Sequence, residues 1–150
     1  MPHIANDQDL RNTLSTLSME QQRAIGARYA ESVGGAARDP RLKRVLEIAS
    51  QPESPEREDA YQTAKSITVQ TYTACGRDTD WAAQAEHFVA AACVAALTPD
   101  NLTSGSTNLA WKAALQARMA NNCLMMENDD AAQDNEAQRQ YEITEKFSSG

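Results

Sequence analysis

Start and stop signals for helices recur along this chain at helix-length intervals, and no stretch alternates polar and apolar residues over the length of a strand. Ser18 with Gln21 forms a capping box, in which each side chain satisfies an orphan backbone N–H of the other. The helix that follows carries Met19, Ile25, Tyr29 and Val33 on one face and stops at Gly34-Gly35, which tolerates left-handed backbone angles. Asp39-Pro40 opens the next: a cap residue, then a proline whose missing N–H costs nothing in the first turn. Its apolar face is Leu42, Val45, Leu46 and Ala49, and Gln51-Pro52 ends it. Ser54-Pro55 repeats the start signal, and Glu56 and Glu58 suit the positive end of the helix dipole. That helix is expected to run to Cys75 and close at Gly76, with Tyr61, Ala64, Thr68, Tyr72 and Cys75 inward. Asp78-Thr79-Asp80 then caps a segment from Trp81 to Leu97.

Three more helices complete the pattern. A short one starts after Asn6 and lines up Leu10, Leu14 and Leu17. A long one runs from about Thr107 to Glu127, with Trp111, Leu115, Met119, Cys123 and Met126 at spacings of three and four, read here as its core stripe. The last runs from about Ala131 to Phe147 and is mostly polar, with a narrow docking stripe of Ala137, Tyr141, Thr144 and Phe147. Much of the apolar content is alanine, the strongest helix former, and valine and isoleucine are scarce. These features predict an all-α, single-domain bundle of six or seven helices over residues 1–150, with flexible ends at 1–6 and 148–150. The segment from Trp81 to Leu97 is apolar almost all round in its second half, which marks the buried centre of a bundle.

Charge narrows the functions open to such a fold. The formal net charge is -7. Nucleic-acid binding depends on Lys and Arg that neutralise phosphates, and anionic lipid makes the same demand, so both partners are disfavoured. The first residues, Met1-Pro2-His3-Ile4, lack the basic and apolar regions of a signal peptide, and the apolar window Phe88 to Leu97 is too short to span a bilayer. A cytoplasmic location is expected. Cys75, Cys93 and Cys123 are odd in number and irregular in spacing, which suits small buried side chains better than a disulfide framework.

The inventory of chemical groups is thin. There is no CxxC and no HExxH, only His3 and His87 as imidazoles, and Gln84 where a Glu-x-x-His pair would need a carboxylate. No metal site, cofactor or catalytic residue is expected. His87 stands out because it sits beside Glu86 on the most apolar helix. A ligand site between the fourth, fifth and sixth helices would use His87, Trp81, Tyr72, Trp111 and Asn122. Of Asn121 and Asn122 in mid-helix, one should face inward and find hydrogen-bond partners. An enzyme site around His87 and this pair is a third reading. Charge is also uneven: Arg23, Arg28, Arg38, Arg41, Lys43 and Arg44 cluster early, while acids dominate from Glu127 onward. Glu136, Glu142 and Glu145 are expected to face solvent on the last helix and to offer a landing surface for a basic partner.

The layout resembles one family. Arg-rich helices follow a short leading helix, Asp39-Pro40-Arg41 opens a helix, and alanines cluster at Ala82-Ala83, Ala90-Ala91-Ala92 and Ala113-Ala114. A polar closing helix follows, with Glu136, Gln138, Arg139 and Gln140. This is similar to the all-helical, Ala-rich immunity proteins of bacterial polymorphic toxin systems, over roughly residues 10 to 145. The resemblance implies a non-enzymatic protein that binds and neutralises one toxin, with a protein as its partner. It assigns no site residues, and a homo-oligomer stays open.

Overall fold

The computed structural model describes residues 3–51, 54–72, 81–99, 102, 107–128 and 136–149. Among these residues lie seven α-helices and no strand: α1 Asp7–Ser15, α2 Met19–Ser32, α3 Pro40–Ala49, α4 Arg57–Tyr72, α5 Trp81–Leu97, α6 Leu109–Asn128 and α7 Glu136–Ser149. A 3-10 turn, Gly34–Ala36, links α2 to α3. Three of the predicted caps form as chemistry demands, whereas α4, expected to open at Ser54-Pro55, begins at Arg57. Asn6 Oδ1 accepts the Asp9 N–H at 2.9 Å. Ser18 and Gln21 bond reciprocally at 3.2 and 2.9 Å. The Asp39 carboxylate accepts the Arg41 N–H at 2.8 Å, with Pro40 first in the helix. Cys75, Gly76 and the expected Asp78-Thr79-Asp80 cap lie outside the described residues.

The centre is α5, as its composition predicts. It packs against α2, α3, α4 and α6. Ala85, Glu86, Val89, Ala90, Ala92, Cys93, Ala95, Ala96 and Leu97 are buried along it. Small side chains let these helices approach closely. At Gly26 of α2, an added Cβ would lie 3.2 Å from the Ala113 Cβ of α6 and 3.3 Å from the Ala96 Cβ of α5. Three helices therefore meet there with almost no side chain between them.

Two buried charged groups tie the frame together. Glu86 leaves α5 to accept the backbone N–H of Asp39 at 2.7 Å and that of Arg38, so a carboxylate holds the positive start of α3. Arg23 Nε donates to the Thr98 carbonyl at 3.0 Å, placing a cation at the negative end of α5. Ile4, inside the segment expected to be flexible, is 2% exposed. Its N–H donates to Glu145 at 2.7 Å.

The core face of α6 differs from the sequence expectation. Its buried residues include Leu109, Ala110, Ala113, Ala114, Ala117, Ala120 and Cys123. Leu115 and Met119 keep 40% and 45% of their surface in solvent, and Trp111 is half-buried. Of the stripe read from the sequence, only Cys123 is buried, and the Met126 side chain lies outside the described residues. The reason is geometric: the close approach of α2 and α5 leaves room for methyl groups, not for Leu and Met. The docking stripe of α7 forms as expected at Thr144, which is buried, and at Tyr141 and Phe147, which pack against the core, but polar residues join it. Glu136, Gln140 and Thr144 are buried, one turn apart, while Ala137, Tyr141 and Phe147 are half-buried.

Candidate functional site

The residues expected to form a ligand site do not converge. His87 Nδ1 lies 2.7 Å from the Thr71 hydroxyl oxygen, which itself donates to the Ile67 carbonyl at 2.7 Å. Either the ring or the hydroxyl can be the donor in this bond, according to the tautomer of the imidazole. Burial pushes the His87 pKa below its ordinary 6.5, opposed by a hydrogen bond to the Thr68 backbone. The ring thus ties α5 to α4 as a neutral side chain. Trp81 is half-buried against the core. Trp111 lies under two guanidinium groups, those of Arg11 and Arg118, each 5.3 Å from the ring centre. Asn122 is exposed, whereas Asn121 is 3% exposed and accepts from Arg139 at 3.1 Å. The inward-facing asparagine is therefore a link between α6 and α7. The side chain of Tyr72 lies outside the described residues.

His87 does border a cleft between α4, α5 and α6. Thr68 forms one wall, Ala91 and Val94 the floor, and Lys112 and Gln116 the other wall. Its volume is about 250 Å³, below the roughly 300–1,000 Å³ of small-molecule sites. Neither Trp81, Trp111 nor Asn122 lines it.

The three carboxylates expected to face solvent have different fates. Glu136 is 4% exposed, which corrects the expectation. Its oxygens accept from the Ser32 hydroxyl and from Arg139 Nε at 2.7 Å, and Arg139 Nη2 pairs with it as well. Glu145 is half-buried and accepts from the Ile4 N–H. Of the three, only Glu142 is exposed. The acids of α7 are thus largely internal fasteners, because α7 docks through buried polar groups beside the partly buried Tyr141, Ile143 and Phe147, which pack against the core.

That polar seam extends to α1. The Arg118 guanidinium grips Asp7 with two hydrogen bonds of 2.8 and 2.9 Å, and its Nε donates to Gln140 at 2.9 Å. Gln140 Nε2 donates to the Ala114 carbonyl at 2.9 Å. The Tyr141 hydroxyl donates to Asp7 at 2.8 Å, and the Tyr29 hydroxyl lies 2.5 Å from that of Thr144. Burial raises the Tyr29 pKa, so it stays a neutral donor or acceptor. Among the described residues, no buried side-chain nitrogen or oxygen is left without a partner. A satisfied network of this kind specifies geometry and does not advertise a ligand.

Among the described residues, four large apolar side chains are exposed: Val69 on α4, Leu102, and Leu115 and Met119, which lie together on the outer face of α6. Lys112, Leu115, Met119 and Asn122 share it at spacings of three and four, with Lys112 and Gln116 also bordering the cleft. Nothing in the sequence pattern separates this face from the buried one, since α6 is apolar on both. No family model, curated protein or solved structure matches the chain. No helix of the described residues is long and apolar enough to cross a membrane, and none of their His, Cys, Asp and Glu side chains cluster as a metal site would require.

Proposed function

We propose that this chain is a non-enzymatic, cytoplasmic protein-binding module, and that its contact surface is the outer face of α6 beside the α4–α5–α6 cleft. The observation that carries the reading is the placement of Leu115 and Met119. Single exposed apolar residues need no explanation. Two large ones a turn apart on the side of α6 opposite its buried alanines present an apolar stripe of helix-docking geometry. The adjoining cleft is too small for most ligands but suits one inserted side chain. A small apolar ligand in that cleft is the weaker reading, for the same reason of volume.

An immunity protein that neutralises a toxin is the specific form of this function suggested by the helical, Ala-rich layout. The test is genetic. Each gene flanking the one for this chain is expressed in a sensitive host, with and without the chain. The reading expects one product to arrest growth and the chain to restore it. Leu115→Lys with Met119→Lys should abolish the protection while leaving the helical circular dichroism unchanged. Full protection by that double variant would contradict the assignment of the surface.

A further inference from the structure

We infer that the cleft between α4, α5 and α6 seats a carboxylate side chain, glutamate or aspartate, of the protein partner, held by Lys112 and Gln116. This rests on the reading of the outer α6 face as a docking surface and adds the partner's chemistry to it. Lys112 and Gln116 form the α6 wall of the cleft, one helical turn apart. Among the described residues, the Lys112 ammonium has no ion pair and the Gln116 amide no hydrogen bond. The other polar groups of the cleft are already engaged or neutral. Thr68 donates its hydroxyl proton to the Lys65 carbonyl and Thr98 to the Val94 carbonyl, each at 2.7 Å. His87 is bonded to Thr71, and burial holds its pKa below the ordinary 6.5, so the ring adds no charge at neutral pH. The hydrogen-bond donors that lack a partner thus stand together on one wall.

That set of groups selects by charge. Among the described residues, no carboxylate lines the cleft, although the chain carries a net charge of -7. An ammonium or guanidinium from a partner would bring only protons and would face Lys112. An apolar side chain would leave both donors of the α6 wall without a bond. A carboxylate has lone pairs for both and the opposite charge, which makes the stronger kind of hydrogen bond. The volume, about 250 Å³, is below that of most small-molecule sites and suits one side chain. The register on α6 supplies an independent argument. The donor row, Lys112 and Gln116, runs beside the apolar row, Leu115 and Met119, and each donor lies three residues before its apolar neighbour. A partner segment that lays an apolar residue on Leu115 and Met119 therefore brings its own flank over the cleft. The donors and the apolar stripe form one footprint.

Nuclear magnetic resonance of the labelled full chain tests this. The Gln116 side-chain amide and the His87 ring are the reporters, and His3, the other histidine, is the control. The probes are glutamate and glutamine, each capped by N-acetyl and N-methylamide groups, acetate, and a helical peptide with glutamate and leucine three residues apart. Capped glutamate should move both reporters, raise the His87 pKa by bringing a negative charge to the ring, and bind at least about tenfold tighter than capped glutamine. Lys112→Gln, at an exposed position, should remove that preference and leave the helical circular dichroism unchanged. The helical peptide should bind more tightly still, and Leu115→Lys should return it to the level of capped glutamate. Glutamine equal to glutamate overturns the inference, as does silence of both reporters toward every probe at tens of millimolar. Acetate as tight as the peptide overturns it too, because the occupant would then be a free small carboxylate. The two readings fail separately. A chain that loses protection of a host with Leu115→Lys and Met119→Lys but keeps it with Lys112→Glu retains the docking face and loses the carboxylate seat. Capped glutamate held through Lys112, in a chain whose double variant still protects, leaves the seat standing and overturns the docking face.

Discussion

Asp7 and Arg118 show how much of this bundle is held by individual side chains. The guanidinium beside Asp7 holds its carboxyl below the ordinary 3.8, helped by the Tyr141 hydroxyl and opposed by burial. A depressed carboxyl pKa stabilises the folded state fully above the unfolded value, and the contribution is lost as pH falls through the folded one. Wild type should therefore lose stability as acid is added from just above pH 4 downward. Asp7→Asn should cost about 1 kcal/mol at neutral pH and flatten that part of the acid profile. Urea unfolding at a series of pH values measures both, and parallel profiles for the two proteins would discount the pair. The cysteines make a second case. Burial, with Glu31 adding to it, pushes the Cys93 thiol up to about 12. Cys93 should react with a thiol reagent only when the chain unfolds, and rapid native labelling would contradict its burial.

At the scale of the helices, boundaries were legible and faces were not always so. Caps are local chemistry: Asn6, Ser18 with Gln21, and Asp39-Pro40 each act through hydrogen bonds within a few residues, so sequence alone places them. The centrality of α5 was legible too, because a helix apolar all round can sit nowhere else. The orientation of α6 was not, since both of its faces are apolar and the choice depends on the shape of α2 and α5 opposite. The seam on α7 was hidden for another reason. Glu136 read as solvent-facing and Gln140 stood outside the docking stripe in which Thr144 was placed, and only their partners Ser32, Arg139 and Ala114 make the burial of Glu136 and Gln140 tolerable. Gly26 tests the close packing directly. Gly→Ala in an open helix gains about 1 kcal/mol. Here the added methyl meets two alanine Cβ atoms that have no rotamer to change, and overpacking costs about 1–3 kcal/mol. Gly26→Ala should lower stability in urea unfolding, and a more stable variant would show that α2 stands off from its neighbours.

For the molecule as a whole, the functional account depends on which side of α6 is outside. If the alanine face is the packed one, Leu115 and Met119 are free to meet another protein. If the large side chains were the core, α6 would present no apolar pair to a partner. Thermal unfolding of two single variants at dilute, micromolar concentration decides between these arrangements. Leu115→Lys places its charge in solvent and should leave the melting temperature within a few degrees of wild type. Ala117→Lys forces an ammonium into the contact among helices, where an unpaired buried charge costs several kcal/mol, and should unfold the chain or lower its melting temperature sharply. The opposite ranking, with Ala117→Lys tolerated and Leu115→Lys unfolded, would contradict the orientation of α6 and with it the proposed binding face.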